Sequence, residues 1–156
     1  MPAKAAKAAA ATPAEALYFQ LFNEIGIIAQ LSGNRFQKVL PYNLTVAQFG
    51  LLNHMIRLGD GWTPARLAAA FQVTKGTMTN TLQKLEAKGF IRVDPDADDA
   101  RSKRVFLTPP GQSARDAALK AITPELSTLP EGFPPALAAE ILPALERLRI
   151  WLDANR

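Results

Sequence analysis

The sequence predicts a mainly α-helical fold that carries a small antiparallel β element of two to three strands. Three observations predict it. Apolar residues recur at three- and four-residue spacing along most of the chain. Thr45-Val46-Ala47-Gln48, Thr63-Pro64, Thr74 and Thr108-Pro109 each read as a helix start, with threonine as the cap. Only Phe90-Ile91-Arg92-Val93 and Arg104-Val105-Phe106-Leu107-Thr108 form β-branched and aromatic runs of strand length.

Taken in order, residues 1–14 hold lysines and alanines with no large apolar side chain. They read as a mobile tail, because a signal peptide needs an apolar middle that is missing here. Pro13 to about Leu40 follows as one long helix, with Leu17, Leu21, Ile25, Ile28 and Leu31 on a stripe that Phe19, Phe22 and Ile27 widen. That arc is broader than one neighbouring helix covers, so it belongs inside a domain or across a subunit interface. Pro41 and Asn43 end the helix. The capping box at Thr45 opens an apolar run from Phe49 to Leu58, which Gly59-Asp60-Gly61 closes. A short helix over about 64–70, a turn at Phe71-Gln72-Val73, and a helix over about 75–88 ended by Gly89 come next. Ten residues, Asp94 to Lys103, separate the two strands, long for a hairpin loop. A helix from Thr108-Pro109 to about Thr123, a proline-rich break, and a last helix over about 136–153 with Pro143 as a kink point complete the chain.

Composition excludes much chemistry. The 156 residues include no cysteine and a single histidine, His54. Thiolate zinc sites, catalytic cysteines, disulfides and histidine-rich metal sites therefore drop out. No apolar run is long enough to span a membrane. No P-loop, nucleophile elbow or dinucleotide fingerprint appears, so neither an enzyme nor a cofactor site is expected. Asp94-x-Asp96-x-Asp98 resembles the opening of a calcium loop, but Asp99 stands where glycine is required and Val105 where glutamate is required. The net charge of +4 is unevenly spread: residues 63–108 carry eight bases against five acids, and 109–156 five against six. A basic middle suits a nucleic-acid-binding lobe.

Helix, short helix, turn, helix and hairpin is the order of a winged helix-turn-helix. At 100° per residue, Met78, Thr81, Leu82 and Leu85 share the face of the second helix that would be buried. Opposite lie Gly76, Asn80, Gln83 and Ala87, flanked by Lys75, Thr77, Thr79 and Lys84. This outward face holds amides, hydroxyls and ammonium groups without a carboxylate. Amides pair with adenine edges, and Lys and Thr with phosphates or bases.

Residues 45–111 resemble the MarR family of bacterial winged-helix transcriptional regulators. The residues that carry the likeness are Leu67-Ala68, the Thr74-Lys75-Gly76-Thr77-Met78-Thr79 opening, Leu82, Leu85-Glu86 and Gly89-Phe90-Ile91, together with Asp99-Ala100-Arg101 placed six residues before Leu107-Thr108-x-x-Gly111. The resemblance implies a DNA-binding lobe over 45–111 and a helical dimerisation domain built from 15–44 and 112–156. It further implies a cytoplasmic, nucleoid-associated homodimer that represses transcription from a pseudo-palindromic operator of double-stranded DNA. Lys75, Thr77, Thr79, Asn80, Gln83 and Lys84 would face the major groove. Arg101, Lys103 and Arg104 of the wing would contact DNA, Arg101 in the minor groove with Asp99 holding it in place. A small lipophilic or aromatic anion would release the operator from a cleft near Tyr42, His54, Arg57 and Trp62. The competing reading is a winged helix used for protein interaction or architectural DNA binding, without ligand sensing.

Overall fold

A computed structural model describes residues 11–155. Helix α1 (Pro13–Gln37) starts at a full capping box, in which Thr12 and Glu15 satisfy each other's backbone N–H groups. The helix starts at Pro13, as expected; the first ten residues of the tail expected over 1–14 lie outside the described ones. The helix also stops at Gln37, short of Leu40. Gln37 turns its side chain onto the following loop, donating to the Leu44 carbonyl at 2.9 Å and accepting from the Val46 N–H at 2.9 Å.

Helices α2 (Val46–Leu58), α3 (Pro64–Ala70) and α4 (Lys75–Ala87) follow, each opened by the expected threonine. Strands β1 (Ile91–Pro95) and β2 (Lys103–Leu107) pair antiparallel from Ile91↔Leu107 to Pro95↔Lys103. The ladder reaches further toward the tip than side-chain propensity suggests, since Asp94, Pro95 and Lys103 pair despite being poor strand formers. Phe90 and Thr108 fall outside it: Phe90 closes α4 with an N–H to the Leu85 carbonyl, and Thr108 caps the next helix. The sheet has two strands, and a single bridge from Trp62 to Val105 stands where a third would lie.

Helix α5 (Pro109–Ile122) leads into a 3-10 turn (Thr123–Leu126), a short α6 (Leu129–Gly132) and the long α7 (Pro135–Ala154), which runs through Pro143. The proline-rich break therefore holds two short helical turns that its spacing did not reveal. Proline favours first-turn positions, and both turns begin in that way.

The core gathers Leu44 of the loop before α2 with Leu51, Leu52, Met55, Leu67, Met78, Leu82, Leu85, Ile91, Val105 and Ala118 from α2–α5 and the hairpin. Helices α1 and α7 contribute no buried residue. Their apolar side chains stand open, Phe19 at 74% and Trp151 at 62% exposure. No helix among the described residues is long and apolar enough to cross a membrane.

Candidate nucleic-acid interface

Helix α4 is held by its inner face. Met78, Leu82 and Leu85 are buried, and Thr81 is half-buried beside them. Gly76, Asn80, Gln83, Lys84 and Ala87 lie on the exposed side, as the 100° spacing requires. None of the described residues holds the Asn80 or Gln83 amides, so both are available to an external partner. Thr74 caps the helix through the Thr77 N–H, and its hydroxyl donates to the Thr77 hydroxyl at 2.9 Å. Thr79 donates its hydroxyl to the Lys75 carbonyl at 2.8 Å.

The wing meets the helix pair at one cleft. Thr63, Pro64 and Ala65 at the start of α3, Lys75 and Thr79 at the start of α4, and Arg101, Ser102 and Lys103 of the wing surround about 370 Å³. Three cations and three hydroxyls thus converge with no carboxylate in the lining, which is the chemistry of a phosphate-facing surface. Asp99 serves Arg101 through the main chain: its Oδ1 accepts the Arg101 backbone N–H at 3.0 Å. The guanidinium itself remains exposed.

Arg104 sits apart from this set. Its Nε is paired with Asp96, and its Nη1 donates to the Gly61 carbonyl at 2.9 Å. Asp96 also accepts the Asp98 N–H at 3.0 Å. That backbone bond, and secondarily the Arg104 guanidinium, hold its carboxyl below the usual carboxylate range. Asp94 pairs with Arg92. The carboxylates of Asp94, Asp96 and Asp99 are therefore engaged by local donors.

Of the residues expected near an effector, His54, Arg57 and Trp62 come together in a cleft of about 750 Å³. Tyr42 does not. Its ring lies edge-on to Phe90, 5.7 Å away, and its carbonyl accepts from Lys88 Nζ. The cleft also takes in Arg66 and Arg149; Arg66 of α3 lies four residues past Trp62 in the chain, while only the fold brings Arg149 of α7 near. The Arg66 guanidinium sits over the Trp62 ring at 4.4 Å. The His54 ring packs edge-on against Trp62 and Phe71, and its buried Nε2 has no hydrogen-bond partner among the described residues. Burial, and then the Arg57 charge, push the imidazole pKa down. Arg149 is paired with Asp153 at 3.4 Å.

The MarR family model matches residues 42–102, the stretch from the loop before α2 to the wing tip. The transcriptional regulator HosA of Escherichia coli O127:H6 is 30% identical over 125 residues, which cover 80% of this chain and 88% of HosA. The chain belongs to the MarR family. As a MarR-family transcriptional regulator it shares its fold with BldR of Sulfolobus solfataricus, at 26% identity and a TM-score of 0.73 over 84% of this chain and 93% of BldR. A mutant MarR of Escherichia coli solved with operator DNA aligns at 24% identity and a TM-score of 0.69, over 83% of this chain and 93% of that one. The MarR-family fold accounts for the winged helix and for the flanking helices alike.

Proposed function

We propose that this MarR-family chain is a homodimeric repressor that grips a pseudo-palindromic operator and releases it when a small anion binds. The observation that carries the DNA contact is the cleft where Lys75 and Thr79 of α4 meet Arg101, Ser102 and Lys103 of the wing. A duplex laid across it sets α4 in the major groove, with Asn80 and Gln83 toward base edges and Thr77 and Lys84 at the flanks. Arg101 then enters the minor groove, where negative potential is concentrated. That a MarR relative of the same fold has been solved with operator DNA supports this arrangement.

Residues 45–111 form the DNA-binding lobe in this reading, and the uncovered faces of α1, α5 and α7 form the dimer; a repressor of this kind would act in the cytoplasm with the nucleoid. Effector binding falls to the cleft of His54, Arg57, Trp62, Arg66 and Arg149, whose guanidinium groups and indole suit an aromatic or lipophilic anion. Selection from a random duplex pool tests the reading. The enriched site should contain two half-sites about 10 bp apart, and inserting about five base pairs at the dyad should abolish tight binding. Enrichment of a single unrepeated half-site, or of nothing, would overturn it.

A further inference from the structure

Arg104 is basic and three residues past Arg101, which makes it a DNA contact on sequence grounds. Its geometry says otherwise. Two of its three nitrogens are engaged, Nε by the Asp96 carboxylate and Nη1 by the Gly61 carbonyl. The Asp96 side chain is only 8% exposed, against 38% for Arg104, so the pair is shielded on the acid's side.

What the pair connects is specific. Asp96 stands at the base of the wing tip, where its N–H meets the Ser102 carbonyl at 2.9 Å and its second oxygen accepts the Asp98 N–H. The same tip holds Arg101 on Asp99. Gly61 belongs to the loop between α2 and α3 and has a φ of +79°. That loop lies along β2: the Gly61 N–H donates to the Val105 carbonyl at 3.0 Å, the Val105 N–H to the Trp62 carbonyl at 2.9 Å, and the Leu107 N–H to Asp60 Oδ1 at 2.9 Å. Arg104 therefore ties the Arg101-bearing tip to the loop from which α3, and through it α4, departs.

We propose that Asp96 and Arg104 are positioning residues, a strut that fixes the wing arginine Arg101 relative to helix α4, and that neither contacts DNA itself. The inference rests on the DNA-binding reading above. Under it an acid on the DNA-facing lobe strengthens binding, the reverse of its Coulomb effect on phosphate. That sign makes the idea testable.

The experiment titrates Asp96→Asn, Arg104→Ala, Arg104→Lys and the Asp96→Asn/Arg104→Ala double variant into the duplex enriched by the parent protein, at several salt concentrations. Each single variant should lose about tenfold in affinity, and the double variant no more than either alone, because both remove the same link. The slope of affinity against salt should stay at the parent value, since no phosphate contact is lost. In an Arg101→Ala background the same substitutions should cost less than about twofold. Arg104→Lys should fail to rescue, as one ammonium does not span two divergent acceptors.

Tighter binding by Asp96→Asn, a flatter salt slope for Arg104→Ala, or parent affinity in Arg104→Lys would each overturn the strut and make Arg104 a phosphate contact. Equal losses with and without Arg101 would also overturn it, by showing that the pair supports the fold at large; melting temperatures of each variant supply the independent check. Failure of the DNA-binding reading shows earlier and separately, as a parent protein that enriches no duplex.

Discussion

The carbonyl oxygen of Phe90 occupies the space that a side chain at Gly111 would need: a Cβ there would lie 1.9 Å from it. Thr108 stitches the same corner, accepting the Gly111 N–H at 3.1 Å and donating its hydroxyl to the Gly89 carbonyl at 2.6 Å. The start of α5 is thereby pressed onto the base of the hairpin. Backbone, unlike a flexible side chain, cannot yield cheaply to an added methyl group. Gly111→Ala should destabilise the fold by about 3 kcal/mol, a drop of roughly 6–12 °C in Tm. A melting curve matching the parent's would show that the corner relaxes freely.

His54 gives the protein a pH dependence of known sign. Burial and Arg57 depress its pKa in the folded state, below an ordinary value of about 6.5. Between those two values the unfolded chain binds more protons, so stability rises with pH through that window and falls on acidification. The charged groups sharing the cleft are Arg57, Arg66, Arg149 and Asp153, and of these Arg57 is the one that acts on the imidazole. Urea titrations from about pH 5 to pH 7 should show His54→Phe with a flatter profile than the parent. Parallel profiles would remove His54 as the cause.

The open faces of α1 and α7 carry a third prediction. Phe22, Ile25, Ile28, Leu142, Leu145 and Leu148 line an apolar groove between the two helices. A second copy would cover it. Sedimentation should report a mass near twice the 16.9 kDa of the chain, and Ile28→Asp with Leu145→Asp should halve it while the helical signal persists. A parent protein that stays monomeric at about 10 μM would contradict the homodimer.

Reading and positioning on DNA should separate by mutation. Arg101→Ala should weaken binding to all duplexes, reduce the salt slope by up to about one unit per wing, and largely keep sequence choice. Gln83→Ala should cost about 1–3 kcal/mol per base contact on the enriched site and leave the salt slope unchanged. Isotherms on enriched and scrambled duplexes would distinguish the two. Loss of sequence choice in Arg101→Ala alone would reverse the assigned roles.

The helix starts, the buried stripe of α4 and its outward amides are legible along the chain, because capping and helical periodicity are local physics written in neighbouring residues. Thr45 with Gln48, Thr74 with Thr77, and Met78 with Leu82 and Leu85 needed no distant partner to be understood. The tertiary structure alone decided which exposed cations are free. Arg101 and Arg104 both read as DNA contacts along the chain, yet Arg104 is engaged by Asp96 and by a Gly61 carbonyl 43 positions away, whereas the guanidinium of Arg101 stays open. Arg149 likewise enters the cleft of His54 only because the fold brings the end of α7 to a space that residues of α2 and α3 also line. A guanidinium's availability depends on whatever acceptor the fold brings within hydrogen-bond reach, and pairing across that separation leaves no periodic trace in the sequence.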